Sequence, residues 1–485
     1  MRFFICCWWF DVFDKKHQLY FMTLIGTMFL VTNALAVDVP IEDFPVESFE
    51  QNVYHYLPKN AQDHQKPLMT SDYQAKQLQN FYQHYYSSDS NGLSPWSASW
   101  VSEILPTVGD TEINILNDFD NRFKDDDHKH YGENFKAHDE KWLNQIRNNM
   151  PLESLNNLTF NPANRAIAVN NTHARALPDQ SPDFYHFTKA GQGFPFDNLQ
   201  ESAIWAGTPL YVVCVSKDKS WSLVLTPDGY FAWVNSNDVA SVSGAFMMRW
   251  QKAAKTGMVA VTKTNASVVN QRGLFQFNGY IGAVYPLAYK KNQDISFLIP
   301  VKNKRGFASI TTAKTTDDSA TKMPLKATKQ NMAGLIQQLQ NRPYGWGGAF
   351  FFNDCSQELK SLFTPFGIWL PRNSSKQALM GRVVDLSDQS PSERIHYLKQ
   401  HGHPLTTIIF IGGHVMLYVG NEQEDQQSGD VITYQNLWGL TTPQYDKRYI
   451  VGQSAFIPLL QNYSGFSEVQ SLADKKYFKL IYVDE

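Results

Sequence analysis

The strongest constraint on the fold lies mid-chain, where short apolar runs and turn residues recur. Trp221-Ser222-Leu223-Val224-Leu225-Thr226 leads through Pro227-Asp228-Gly229 into Tyr230-Phe231-Ala232-Trp233-Val234. Aromatic and β-branched runs on either side of such a cluster predict a hairpin, because proline presets φ and glycine accepts the positive φ a tight turn needs. Upstream, Gly207-Thr208-Pro209-Leu210-Tyr211-Val212 predicts another strand. The same order returns about 75 residues later as Gly282 to Tyr289, Ser296 to Pro300 and Gly306 to Ile310. The repeat predicts two diverged copies of one small β-barrel, over residues 166–245 and 246–313. Cys214 falls in a strand of the first copy and is expected in its core.

A chain of 485 residues has room for about three or four domains. Before Ala166 the pattern is mainly helical. Tyr73 to Tyr86 predicts one helix, and Trp142, Ile146 and Met150 lie on a second that stops at Pro151. The acidic run 118–127 superficially resembles a calcium loop. Arg122 and Phe123 stand where a ligand and the turn glycine belong, so it reads as a helix end. Residues 37–165 carry no evident chemistry and are expected to position or stabilise the rest. The polar stretch Ala313 to Met323 lacks aromatics, which predicts a linker at 314–322 and a C-terminal domain over 323–485 that opens with a helix around Met332 to Ile336.

The first 36 residues read as an export signal. Lys15 and Lys16 precede an apolar run from Leu19 to Val31, and Ala34-Leu35-Ala36 is a small-x-small cleavage site. The prefix before the lysines is unusual, and a start at Met22 is the alternative. Cleavage would remove Cys6 and Cys7 and leave Cys214 and Cys355. Two cysteines form neither a disulfide framework nor a Cys-rich zinc site. A net charge of −3 gives no electrostatic case for nucleic acid.

The chemistry concentrates in Tyr344 to Gln377, YGWGGAFFFNDCSQELKSLFTPFGIWLPRNSSKQ. Leu359, Leu362, Phe363 and Phe366 share one helical face, and Asn353-Asp354 reads as that helix's N-terminal signal. Cys355 is thus expected in the first turn, where unpaired N–H groups and the helix dipole favour a thiolate. A cysteine nucleophile needs a base. Ile408 to Ile411 predicts a strand, Gly412-Gly413 a turn, and His414 to Val419 a second strand with His414 at its mouth. A third group should orient the imidazole, and either Gln435 or Asn436 on the next strand could do so. His396, His401 and His403 fall in a surface helix and loop.

The order Tyr-x-Trp-Gly-Gly, Asp-Cys-Ser, Leu-Pro-Arg-x-Ser-x-x-Gln and Gly-His-Val-x-Leu-Tyr-Val-Gly resembles the NlpC-type cell-wall cysteine peptidases, specifically over about residues 322–483. More loosely, the two barrels resemble bacterial SH3-type domains, and the first region the stabilising segment of larger members. The resemblance implies an α+β multidomain protein. Its papain-like catalytic domain would follow two SH3-type barrels and a mainly helical N-terminal region. It implies hydrolysis of the bond between γ-D-glutamate and the diamino acid of peptidoglycan stem peptides, outside the cytoplasm and with no cofactor.

By motif position, the resemblance makes Cys355 the nucleophile, His414 the base and Gln435 the third group. Many relatives have histidine at the third position, so Gln435 is a departure. Tyr344 matches the tyrosine that stabilises the oxyanion, with the Cys355 N–H as the other donor. Asp354 and Ser356 match positions that hold the free amine of L-Ala, and Tyr230 aligns with a barrel tyrosine that closes this pocket. Arg372 and Gln377 match positions near the cleft, where a structural role for Arg372 paired to a carboxylate is the other reading. Gln357 replaces the usual glycine. Two rivals remain on sequence: a wall-binding protein whose catalytic domain has decayed, and a papain-like amidase cutting at the sugar–peptide junction.

Overall fold

The computed structural model describes residues 40–125, 129–291, 294–317, 319–422 and 429–485. The expected export signal, with Cys6 and Cys7, lies outside these residues. The N-terminal region opens with a short strand, β1 (Ile41–Asp43), and continues through helices α1 (Ser71–Tyr85), α2 (Ala98–Ile104), α3 (Val108–Arg122) and α4 (Glu140–Asn149). Side chains of Thr70, Ser97 and Asp139 cap α1, α2 and α4 by accepting from backbone N–H groups three residues on. Helices α1 and α4 are those the periodicity predicts, and Asp118–Arg122 closes α3 as a helix end. The region straps the other domains together. Gln74 Nε2 of α1 donates to the Phe366 carbonyl at 3.0 Å. Phe81 meets Trp369 edge-on at 5.5 Å, and Tyr86 donates to the Val284 carbonyl at 2.9 Å.

Two seven-stranded sheets follow. The first contains β2 (Arg165–Ala168), β3 (Thr172–Arg175), β4 (Gln200–Ile204), β5 (Pro209–Val215), β6 (Trp221–Leu225), β7 (Phe231–Asn235) and β8 (Val239–Ser241). After α5 (Gly244–Thr256) the second contains β9 (Met258–Val261), β10 (Ala266–Asn270), β11 (Phe275–Gly279), β12 (Val284–Lys291), β13 (Asp294–Lys302), β14 (Ala308–Thr315) and β15 (Ala320–Lys322). The strand orders are β4-β3-β7-β6-β5-β2-β8 and β11-β10-β14-β13-β12-β9-β15. They are one topology written twice, so the sequence repeat is a structural repeat. The predicted hairpin is β6–β7, with Leu225 opposite Phe231 and Gly229 at φ +76° in its turn. Cys214 lies in β5, half-buried, and burial pushes its thiol up to about 12.

Two expectations need correction. The stretch 314–322 is no linker: it completes β14 and supplies β15, which pairs with β9 and closes the second sheet. Its polar residues fit because β15 leaves its side chains partly exposed. Between the sheets stands α5, which the barrel reading omitted. Its Phe246, Trp250 and Ala254 recur every fourth residue and are buried.

The C-terminal domain comprises α6 (Lys329–Leu339), α7 (Cys355–Phe363), α8 (Ser374–Gln377), β16 (Arg382–Asp385), α9 (Pro391–His401), β17 (Thr407–Phe410), β18 (Val415–Asn421), β19 (Val431–Thr441), β20 (Arg448–Pro458) and β21 (Lys479–Tyr482). Its sheet runs β1-β20-β19-β18-β17-β21-β16, so the N-terminal strand joins the edge of this domain, parallel to β20. On one face, Leu359, Leu362 and Phe363 of α7 pack with Val415, Leu417, Tyr434 and Phe456. On the other, Leu398 of α9 packs with Met416, Tyr418 and Ile457. Period-2 alternation along β18 thus separates two cores. Among the described residues no helix is long and apolar enough to cross a membrane.

Candidate active site

Cys355 is the first residue of α7 and is 1% exposed. Asp354 caps the helix by accepting from the Gln357 N–H at 2.9 Å. The cysteine thus occupies the turn where helix N–H groups favour a thiolate. Helix α7 packs across β18 and β19.

His414 stands one residue before β18, after Gly412 and Gly413, whose φ values of +81° and +89° make the turn. It is buried, and its Nε2 lies 2.8 Å from Gln435 Oε1. The hydrogen bonds around Gln435 fix the tautomer. The Thr433 hydroxyl donates to the Ile457 carbonyl at 2.7 Å, so it accepts from Gln435 Nε2 at 3.0 Å. Gln435 therefore turns its oxygen to the imidazole, Nε2 carries the proton, and Nδ1 is the basic nitrogen. Asn436 does not compete, because its Nδ2 donates to the Asn353 carbonyl at 2.9 Å. Of the two amides the sequence left open, Gln435 is the histidine's partner. His396 and His401 lie on α9, and His403 faces Asp484 at 2.8 Å.

The four expected substrate-binding residues, Asp354, Ser356, Tyr230 and Arg372, lie close together. Asp354 is fully buried, and Arg372 grips it through two nitrogens at 3.0 and 2.5 Å. The same carboxylate accepts from the Ser356 hydroxyl at 3.1 Å. Arg372 also donates to Ser356 Oγ at 2.7 Å and to Ser202 Oγ of β4 at 2.9 Å. A buried guanidinium thus pairs with Asp354, in the fork geometry arginine favours. Arg372 makes the carboxylate pair that its structural reading expects. Gln377 is likewise buried, with Nε2 donating to the Ser356 and Pro371 carbonyls at 2.9 and 2.8 Å. Tyr230 stands beside Asp228 in the β6–β7 turn, and burial pushes its phenol up. Asp228 accepts from the Arg372 N–H at 2.9 Å and pairs with Lys360 of α7, so this hairpin docks on the nucleophile's helix.

Tyr344 is half-buried, and its N–H donates to the Gly452 carbonyl at 2.8 Å. The loop after it lies against β4. A Cβ at Gly347 would come within 2.4 Å of the Gln200 carbonyl oxygen, and one at Gly348 within 2.6 Å of Ala203 N. Close approach, with φ of +56° and +78°, therefore explains both glycines. Gln200 Nε2 donates to the Gly347 carbonyl at 2.9 Å, and Trp346 Nε1 to the Asp197 carbonyl at 3.0 Å. Phe351 stacks on His173 of the first sheet at 4.5 Å and tilts against Tyr280, just after β11, at 5.7 Å. Mainly through burial, His173 is pushed down to about 4. Phe196 meets Trp346 and Trp438 edge-on at 5.1 and 5.0 Å, forming an aromatic wall beside Tyr344.

Sequence reasoning missed Thr433, Asp228, Lys360 and Glu358. Asp228 was legible only as a turn residue, and Thr433 as part of a strand. A charged residue in an apolar helix face is the one signal that could have marked Glu358.

A cysteine at a helix N-terminus and an amide-oriented histidine at a strand mouth are the groups a cysteine hydrolase requires. Comparisons with known proteins specify the family. Residues 341–451 match the NlpC/P60 family, residues 21–154 the N-terminal NLPC_P60 stabilising domain, and residues 182–235 an SH3 domain of the SH3b1 type. The chain thus carries an NlpC/P60 catalytic domain, the N-terminal stabilising domain of that family and an SH3 domain. It is similar to a solved structure described as a novel NlpC/P60 endopeptidase from Photobacterium damselae subsp. piscicida, with 28% identity, a TM-score of 0.78, and coverage of 92% of this chain and 99% of that one. An NlpC/P60 family protein from Bacillus cereus matches at 18% identity and a TM-score of 0.38, over 56% of this chain and 81% of that one. No curated protein matches significantly.

Proposed function

We propose that this chain is an exported peptidoglycan peptidase that hydrolyses the γ-D-glutamyl–diamino acid bond of stem peptides bearing a free L-Ala amine. The observation that carries the reading is the 2.8 Å bond from His414 to Gln435, which leaves Nδ1 basic at the mouth of β18, the strand on which the Cys355 helix packs. In this mechanism His414 Nδ1 takes the Cys355 proton, and the thiolate attacks the γ-carbonyl. The Tyr344 hydroxyl and the Cys355 N–H stabilise the oxyanion. His414 then protonates the leaving amine, and water hydrolyses the thioester. Gln435 orients the ring but brings no charge to the imidazolium.

Ser356 and Tyr230 line the wall for the L-Ala amine, braced from behind by the Asp354–Arg372 pair. The second sheet is a further SH3-type barrel, a reading supported by its shared strand order, and the catalytic domain is papain-like. With purified stem tripeptide, Cys355→Ala should abolish release of the diamino acid, and unchanged release refutes the mechanism. Binding of peptidoglycan by wild-type protein without turnover would favour a decayed enzyme.

A further inference from the structure

Glu358 is a buried carboxylate that the mechanism does not use. It lies in α7 three residues after Cys355, is 1% exposed, and has the apolar Leu359 and Leu362 as helical neighbours. Ionisable groups are rarely buried so completely unless they are paired or fully hydrogen-bonded. Three donors from three segments of the chain satisfy it. Asn353 Nδ2 reaches Oε2 at 2.7 Å, while the Tyr434 hydroxyl and Ser454 Oγ reach Oε1 at 2.5 and 2.8 Å.

Each donor leads to a different part of the site. Asn353 lies two residues before Cys355, and its carbonyl accepts from the Gly345 N–H and Asn436 Nδ2, both at 2.9 Å. Tyr434 precedes Gln435 in β19. Ser454, in β20, exchanges backbone bonds of 3.0 Å with Asn341 and Arg342, which tether the segment leading to Tyr344. All three partners of Glu358 act as donors. A protonated carboxyl would need one of the hydroxyls to turn and accept, so the arrangement suits the carboxylate. The charged and titratable groups around it are Arg342 and Tyr434. Burial pushes the Glu358 carboxyl up, while its hydrogen bonds and Arg342 oppose the rise.

We infer that Glu358 is a positioning residue, the single carboxylate that holds the Cys355 helix start, the Gln435 strand and the Tyr344 segment in register. The inference rests on the reading of the site proposed above. It is tested with Glu358→Gln, which keeps the shape but replaces one acceptor by a donor, and with Tyr434→Phe and Ser454→Ala, which each remove one bond. Two readouts are needed: the pH profile of Cys355 alkylation by iodoacetamide, with Cys355→Ala as blank, and kcat and KM on the stem tripeptide.

Glu358→Gln should lower both the alkylation rate and kcat by about 10- to 100-fold with KM unchanged, the scale of a small misplacement of reacting groups. Tyr434→Phe and Ser454→Ala should fall between it and wild type. A Glu358→Gln protein that melts earlier but keeps the wild-type kcat and alkylation profile overturns the inference. If Glu358→Gln does not fold, wild-type values for both Tyr434→Phe and Ser454→Ala overturn it equally. Wild-type protein that alkylates normally but leaves the tripeptide intact refutes the proposed substrate, and the alkylation profiles then decide the role of Glu358.

Discussion

Replacing Arg372 by methionine tests what holds the start of α7 in place. Methionine keeps the unbranched stem of the side chain and removes the charge. Arg372 and Asp354 have side chains 1% and 0% exposed, so the change leaves a carboxylate buried without its counter-ion. Breaking a buried pair from one side costs about 3–5 kcal/mol, because the remaining charge has neither water nor partner. The bonds to Ser356 and Ser202 are lost as well. Asp354→Asn is the complementary change, and because asparagine also caps helices well, it removes the charge with little loss of the cap.

The double variant should cost less than the sum of the singles, with a coupling of about 1–3 kcal/mol. Because the chain has several domains, global melting alone would blur the result. Urea titration should be combined with pulsed labelling of Cys355, whose thiol is buried and reports opening of α7 directly. Arg372→Met within about 0.5 kcal/mol of wild type, or strict additivity in the double variant, would refute the view that this pair organises the helix start.

Two further predictions follow from other contacts. His84 and His173 are held to about 4 mainly by burial, against 6.5 for the free side chain. Between those values the unfolded chain binds more protons than the fold, so stability is complete above about pH 6.5 and is lost as pH falls toward 4. Each ring contributes about 3 kcal/mol at most, and His173→Phe, which keeps the stack on Phe351, should flatten the slope of melting temperature against pH; an unaltered slope refutes the assignment. Gly348→Ala places a Cβ 2.6 Å from Ala203 N at a φ of +78°. It should weaken docking of the 345–352 loop on β4 by about 1–3 kcal/mol, seen as faster limited proteolysis there, and wild-type resistance would count against that docking.

Much of the fold was legible because its signals are local. The β6–β7 hairpin follows from Pro227-Asp228-Gly229 and its flanking runs, and α7 follows from Leu359, Leu362 and Phe363 at helical spacing behind the Asp354 cap. His414 at the mouth of a strand was likewise readable from Gly412-Gly413 and the apolar run after it. Errors arose where a short, polar or mixed stretch carries only a weak local signal. Residues 320–322 look like linker until β9 pairs with them, and α5 is overshadowed by the strands around it.

For the site, the amino-acid sequence determined which residues are chemically able to act: a cysteine beginning a helix, a histidine ending a turn, and two adjacent amides on the next strand. The tertiary structure alone decided how they are used. Gln435 rather than Asn436 meets His414, because strand register and the Thr433 hydroxyl turn one amide to the ring while the other holds Asn353. Asp354 faces Arg372, 18 residues along the chain, and not open solvent. Asp228 reaches Arg372 across 144 residues to seat a barrel hairpin on α7. Turns and helical faces depend on neighbours a few residues apart, which a sequence displays. The partner of a buried charge is set by which distant segments meet, and the cost of burying that charge alone makes the meeting decisive.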